Sequence, residues 1–299
     1  MKLFDLAKEG IEIKQQVPLS KYTFTKTGGP AEFLAFPQNQ TELQKLIEAA
    51  NADQIPLTVI GNASNLIIRD GGIDGLVIIL TKMDKITVEG QTVTAQAGAR
   101  IIDTAFMAAN HGLSGMEFAA GIPGSVGGAV FMNAGAYGGE TCEAVASVTV
   151  MSAKGEFKTY TNEEMAFSYR HSRIQETDDI VLSVTFELKK GQKSEILAQM
   201  NYLNALRQYK QPLEYPSCGS VFKRPAGHFV GPMIIEAGLQ GKQIGGAQDS
   251  TKHAGFIVNK GGATATDYLD LIHLIQEKIK EEFGLDLETE VRIIGKPNN

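Results

Sequence analysis

Nine glycines fall within the 28 residues from Gly112 to Gly139, in a chain that holds 32 glycines in 299 residues. Glycine loses more backbone freedom on folding than any other residue. Such a density therefore marks backbone that must turn sharply, adopt positive φ, or approach something closely. The centre of the segment reads Gly121-Ile122-Pro123-Gly124-Ser125-Val126-Gly127-Gly128-Ala129, and Asn133-Ala134-Gly135-Ala136-Tyr137-Gly138-Gly139 follows. About 60 residues earlier, an apolar run enters a second loop of small and amide residues, Gly61-Asn62-Ala63-Ser64-Asn65-Leu66. Successive N–H groups in backbone of this kind can converge on one anion, and Asn62, Ser64, Asn65 and Ser125 add short donors. One such loop reads simply as a turn. Two together point to a pyrophosphate cradle. The two standard phosphate fingerprints are absent: there is no GxxxxGK[ST], and Gly121, Gly124 and Gly127 are spaced GxxGxxG, not GxGxxG.

Composition narrows the class. With 43% hydrophobic and 21% charged residues the chain is of ordinary globular character, long enough to bury a full core without metals or disulfides. The net charge of −6 argues against nucleic acid as a partner. No apolar run reaches the roughly 18 residues of a membrane helix, and the N-terminal residues show no secretory pattern, so membrane insertion is not expected. Two cysteines, Cys142 and Cys218, without a CxxC, fit a reducing cytoplasm. His111, His171 and His273 show no metal spacing and HExxH is absent, so no metal site is expected.

Helix and strand patterns mix along the whole chain, which places it in the α/β or α+β class without fixing a topology. Residues 41–53 read as a helix capped by Thr41 with Gln44 as reciprocal partner. Residues 57–60 and 76–80 read as buried strands, 101–110 as a helix ended by Gly112, and 145–152 and 180–188 as strands. In the last of these Leu182, Val184, Phe186 and Leu188 share one face. Residues 194–209 read as a helix. Residues 266–283 form the clearest one, capped by Thr266, striped by Leu269, Ile272, Ile275, Ile279 and Phe283, and ended by Gly284. Residues 291–294 read as a final strand. The polar run Lys189–Lys193 marks the sharpest boundary.

On these residues the sequence resembles the UDP-N-acetylenolpyruvoylglucosamine reductase (MurB) family. The resemblance is carried, in order, by Thr27-Gly28-Gly29-Pro30-Ala31, Gly61-Asn62-Ala63-Ser64-Asn65, the segment from Gly121 to Ala136, Ser168-Tyr169-Arg170-His171-Ser172, Gly219-Ser220-Val221-Phe222-Lys223, Gln243-Ile244-Gly245-Gly246-Ala247, and Leu287-Glu288-Thr289-Glu290-Val291-Arg292. It implies an α+β fold with a two-subdomain FAD-binding domain of the PCMH/vanillyl-alcohol-oxidase type and a C-terminal α/β substrate-binding domain. The divisions would be 1–80, completed by 288–299, then 81–192 and 193–287. It further implies non-covalently bound FAD, NADPH as hydride donor, and UDP-N-acetylglucosamine enolpyruvate as substrate, reduced to UDP-N-acetylmuramate for peptidoglycan synthesis. No obligate protein partner is expected.

Site residues follow from the same resemblance. Gly61, Asn62, Ala63, Ser64, Asn65, Leu66, Gly121, Ile122, Pro123, Gly124, Ser125, Gly127, Gly128, Asn133, Gly135 and Ala136 would hold FAD. Arg170, Ser220 and Glu290 would be catalytic. Hydride addition to an enolpyruvyl double bond drives negative charge onto the carboxylate, which calls for a fixed cation and a positioned proton donor. Arg170 supplies the first and Ser220 the second, with Glu290 assisting. Tyr169, Lys210, Lys223, Arg224 and Lys242 are candidate substrate contacts. Arg207 and Lys252 are further cations for the substrate's diphosphate. Only 50 residues separate Arg170 from Ser220, as in the shorter, type II form that lacks the tyrosine-bearing substrate loop of longer members. Tyr209 and Tyr215 are the nearest aromatic substitutes. A thiol mechanism at Cys218 is disfavoured because only His228 and His253 lie near it in a polar setting. Another FAD oxidoreductase on the same fold, or a nucleotide-binding module without catalysis, remains the alternative.

Overall fold

The structure, a computed structural model, describes residues 2–298. The chain divides into two compact units. The first comprises Met1–Gln15, Phe33–Asn62 and Gly75–Arg207, the second Gln16–Glu32, Ala63–Asp74 and Gln208–Asn299. Each has its own apolar cluster.

In the first unit a five-stranded antiparallel sheet runs in the order Phe157–Thr161, Val145–Met151, Ile180–Glu187, Thr92–Gln96, Ile86–Glu89. Its alternation follows the sequence pattern. Leu182, Val184, Phe186 and Leu188 are buried, whereas Ser183 and Thr185 are only half-buried and Glu187 is exposed. Helices α1 (Gln40–Ala52), α2 (Ile101–Asn110) and α3 (Val126–Phe131) contribute to the same cluster through Leu43, Leu46, Ile47, Ala105, Ala108 and Val130. Helix α4 (Lys193–Lys210) adds Ile196 and Met200. A further sheet is ordered Ile13–Pro18, Pro30–Ala35, Ile73–Ile79, Leu57–Ile60, the last two parallel.

The second unit holds an antiparallel sheet in the order Ser217–Ser220, Phe256–Asn259, Ala247–Asp249, Gln243–Ile244. It also holds α5 (Val230–Glu236), α6 (Ala265–Phe283) and the parallel pair Leu66–Ile68 with Arg292–Ile294. On α6, Leu269, Ile272, Ile275 and Ile279 form the buried stripe that the 3.6-residue period requires. Gly284 ends the helix in the left-handed conformation.

Helix starts differ from the sequence reading. Asn39, not Thr41, caps α1: its Oδ1 accepts the Glu42 N–H at 2.9 Å, while the Glu42 carboxylate takes the Gln38 N–H at 2.9 Å. Thr264, not Thr266, caps α6 in a capping box with Asp267. Thr266 lies inside the helix, and its hydroxyl and N–H both donate to Asp70. The strand expected at 76–80 runs Ile73–Ile79 instead. Gly75 takes φ +80 within it, and a Cβ there would strike the Pro56 carbonyl, so this glycine continues the strand where propensity would have broken it.

Candidate active site

In the first unit the two glycine segments meet. A Cβ at Gly61 would run into the Ser125 Oγ, so a side chain here fits only if Ser125 gives up its place. The neighbouring Asn62 donates its side-chain N–H to the Pro123 carbonyl at 2.7 Å, which fixes the first loop on the second. Ile101 N–H donates to the Gly124 carbonyl at 3.0 Å, and Ser125 caps α3 through the Gly128 N–H at 3.3 Å. The Gly127 N–H is taken by the Ala97 carbonyl at 2.9 Å. Gly127 and Gly128 thus serve close packing, and their amides are satisfied within the protein. Ile122 packs against the first unit's apolar cluster. A Cβ on Gly121 would come within 2.7 Å of Asn204 Oδ1 and 2.8 Å of Arg207 Cδ. Arg207, expected among cations of the C-terminal third, therefore lies in the first unit across Gly121. Burial lowers the pKa of its guanidinium, and the nearby Tyr137 phenol opposes that shift.

Arg170 belongs to the same unit. Its backbone takes φ +56, unusual for a non-glycine residue, and such strain persists only where the surroundings enforce it. Reciprocal bonds between Ser168 and His171, each 3.1 Å, close the turn around it, and Gln175 Nε2 donates to its carbonyl at 3.0 Å. The guanidinium meets the Gly135 carbonyl at 3.4 Å, the Glu140 carboxylate at 3.8 Å and the Tyr169 ring at 4.9 Å. Asn133 is buried, with φ +42, and donates to both Glu140 Oε2 and the Ser168 carbonyl at 3.0 Å. Gly135 and Ala136 form one arm of a two-residue hairpin whose other arm is Gly139 and Glu140. Glu140 was not singled out in the sequence. Its only signal there is its place at the end of the glycine-rich hairpin.

In the second unit Ser220 and Glu290 stand on adjoining backbone. The Glu290 N–H donates to the Val221 carbonyl at 2.7 Å and the Lys223 N–H to the Glu288 carbonyl at 2.9 Å. Asn65 braces that segment: its Nδ2 donates to the Glu290 carbonyl at 3.1 Å and its own carbonyl accepts the Arg292 N–H at 3.1 Å. Leu66 then pairs in register with Arg292. Ala63 adopts φ +47, and its carbonyl accepts the Phe24 N–H at 3.3 Å. Among the described residues no acceptor meets the N–H groups of Asn62, Ala63, Ser64 or Asn65. Four successive open donors following Gly61 suit an anionic, extended group such as the FAD pyrophosphate.

The cations separate into engaged and exposed. Lys223 Nζ binds Glu288 at 2.5 Å, Lys252 Nζ donates to the Gln208 carbonyl at 2.8 Å, and Arg224 lies 4.5 Å over the Phe229 ring. Lys210 and Lys242 are exposed. Tyr215 carries the Lys260 ammonium 3.6 Å from its ring centre, and Tyr209 is 81% exposed at the end of α4. Burial pushes the Cys218 thiol up to about 12, which removes it as a nucleophile at neutral pH. Among the described residues no group of three or more His, Cys, Asp or Glu is arranged for a metal ion.

A family profile described as the C-terminal domain of UDP-N-acetylenolpyruvoylglucosamine reductase matches residues 211–294, and an FAD binding domain profile matches residues 31–161. The UDP-N-acetylenolpyruvoylglucosamine reductase of Lactobacillus acidophilus is 75% identical over 298 residues, spanning 100% of both chains. That of Lactobacillus helveticus is 73% identical over 296 residues, 99% of each. Among solved structures, UDP-N-acetylenolpyruvylglucosamine reductase (MurB) from Thermus caldophilus matches with a TM-score of 0.81 and 36% identity, covering 95% of this chain and 98% of that one. The fold is thus the FAD-binding PCMH/VAO type carrying a MurB C-terminal domain, and it is α+β. By sequence along its whole length and by fold, the chain belongs to the UDP-N-acetylenolpyruvoylglucosamine reductase family.

Proposed function

We propose that Arg170 binds the substrate's carboxylate, that Ser220 delivers the proton, and that Glu290 supports the charge that forms between these events. The chain is an FAD-dependent oxidoreductase that reduces UDP-N-acetylglucosamine enolpyruvate to the peptidoglycan precursor UDP-N-acetylmuramate, with NADPH as the hydride donor. Bound FAD supplies the relay that passes a hydride from NADPH to the enolpyruvyl double bond. The observation that carries the residue assignment is the bond from the Glu290 N–H to the Val221 carbonyl at 2.7 Å, which sets Glu290 beside the backbone of Ser220. Arg170 has the planar fork that recognises a carboxylate in two-point fashion. Fixed in advance by its turn, it stabilises charge without reorganising as the reaction proceeds.

For the cofactor, support comes from the Gly61–Ser125 approach and the open amides of Asn62–Asn65. For the substrate's diphosphate, Lys210, Lys242, Lys223 and Arg224 are the cations we assign, with Tyr169 beside Arg170. Lys223 would exchange Glu288 for a phosphate oxygen. The three-part division 1–80 with 288–299, 81–192 and 193–287 remains our reading of the subdomains, supported by the separate five-stranded sheet. Among the described residues no helix is long and apolar enough to cross a membrane. Two free cysteines support a cytoplasmic setting, and the net charge of −6 supports the absence of a nucleic-acid partner.

An anaerobic visible spectrum tests the function. A flavin band that bleaches on NADPH and returns on adding the enolpyruvyl sugar nucleotide is the expected result. A band that returns only with oxygen overturns the substrate. Failure to bind added FAD overturns the cradle.

A further inference from the structure

We propose that Glu140 is a positioning residue for Arg170, holding the guanidinium in the orientation in which it meets the substrate's carboxylate. This rests on the role given to Arg170 above. Two contacts on one hairpin orient the fork: Nη1 faces Glu140 Oε1 at 3.8 Å and Nη2 donates to the Gly135 carbonyl at 3.4 Å. Those two oxygens come from paired residues of one hairpin, Glu140 opposite Gly135. Gly135 is required for this arrangement, because a Cβ there would stand 2.8 Å from Glu140 Cγ. The Glu140 side chain therefore lies flat against the opposite strand instead of pointing into solvent.

Glu140 is itself anchored. Its Oε2 accepts from Asn133 Nδ2 at 3.0 Å, and Asn133 Oδ1 accepts the Cys142 N–H at 3.0 Å. The same Asn133 amide donates to Ser168, which starts the turn carrying Arg170. One buried asparagine thus sets both the carboxylate and the turn that presents the cation. The Arg170 and Glu140 side chains are 16% and 34% exposed, so the pair is more shielded than a surface ion pair, whose worth is typically only about 0–1 kcal/mol. Its value here is geometric. A long side chain that would otherwise sample many rotamers is held in one, and small misplacements of reacting groups can cost about 100-fold in rate.

The test separates the two half-reactions by anaerobic stopped flow. Hydride transfer from NADPH to enzyme-bound FAD places no charge on a substrate carboxylate, so Glu140→Gln leaves that rate within about twofold of wild type. Reoxidation by the enolpyruvyl substrate falls by about 10- to 100-fold, in the limiting rate more than in the half-saturating concentration. Glu140→Asp, which keeps the charge on a shorter stem, recovers part of the loss. FAD affinity and melting temperature stay at wild-type values. Equal slowing of both half-reactions, or wild-type rates in both, overturns the proposal. Arg170→Lys is measured alongside. If it reoxidises at the wild-type rate, the role of Arg170 itself is wrong. If it is slow while Glu140→Gln is normal, only the positioning role falls. Should Glu140→Gln fail to retain FAD, the same comparison is read on Glu140→Asp, and wild-type reoxidation there with an unshifted pH profile overturns the proposal.

Discussion

Asp249 offers the sharpest quantitative test of the second unit. Its side chain is 0% exposed. Oδ1 accepts the Gly255 N–H at 2.9 Å, but Oδ2 is buried without a hydrogen-bond partner. Among the described residues no cation offsets the charge, and burial, outweighing the Gly255 and Gly241 N–H groups, pushes the carboxyl from its usual 3.8 to about 7. Because the folded-state value lies above the unfolded one, the native protein binds the proton more tightly. The neutral acid contributes its full stability below about pH 4. That stability is lost as pH rises towards 7, since the unfolded chain ionises freely and the native site does not. Each pH unit in that window is worth about 1.4 kcal/mol, for a total of about 4 kcal/mol. Asp249→Asn keeps the acceptor for Gly255 and cannot ionise. Its buried amide N–H adds a cost that does not vary with pH, about 1–3 kcal/mol. The informative quantity is therefore the slope. Urea or thermal unfolding of both proteins from pH 5 to pH 8.5 is expected to show the variant gaining on the wild type by about 3 kcal/mol across the range. That corresponds to a shift of about 5–10 °C in relative melting temperature. Parallel curves would refute the reasoning and show Asp249 to be ionised and satisfied in the native state.

Gly61→Ala should lower FAD affinity by at least about tenfold, about 1.4 kcal/mol, read by flavin fluorescence, because the new Cβ displaces Ser125. Ser220→Ala should leave reduction by NADPH intact and slow the return of the flavin band by about 10²–10⁴-fold. A wild-type rate of return removes Ser220 as proton donor. Lys223→Ala should raise the KM for the enolpyruvyl substrate, and an unchanged KM takes Lys223 off the diphosphate. Asp70→Ala should destabilise the second unit by about 2 kcal/mol in chemical unfolding, since Asp70 accepts from the Ala265 N–H, the Thr266 N–H and the Thr266 hydroxyl. Thr264→Ala should cost about 1 kcal/mol.

The sequence by itself determined whatever depends on local spacing. The apolar period of α6, the alternation through Leu182, Val184 and Phe186, and the stop at Gly284 need only neighbouring residues to be read. The glycine loops declared a close approach, and their order along the chain carried the family. Helix starts were less legible, because Thr41 and Thr266 are cap-forming types just as Asn39 and Thr264 are, and type alone does not choose between neighbours. The choice falls to the residue whose backbone stays extended while its side chain turns in, and that is fixed by the chain entering the helix. Tertiary structure alone decided the pairings. Glu140 and Arg170 are joined through Asn133 across a hairpin and a distant turn. Arg207 lies across Gly121, a neighbour some 86 residues earlier in the chain that no local pattern names. Asp249 and Asp70 look like any surface carboxylates, yet one is buried with an orphaned oxygen and the other caps a helix nearly 200 residues away. Burial and long-range hydrogen bonds depend on which segments the fold brings together, and no local pattern records that.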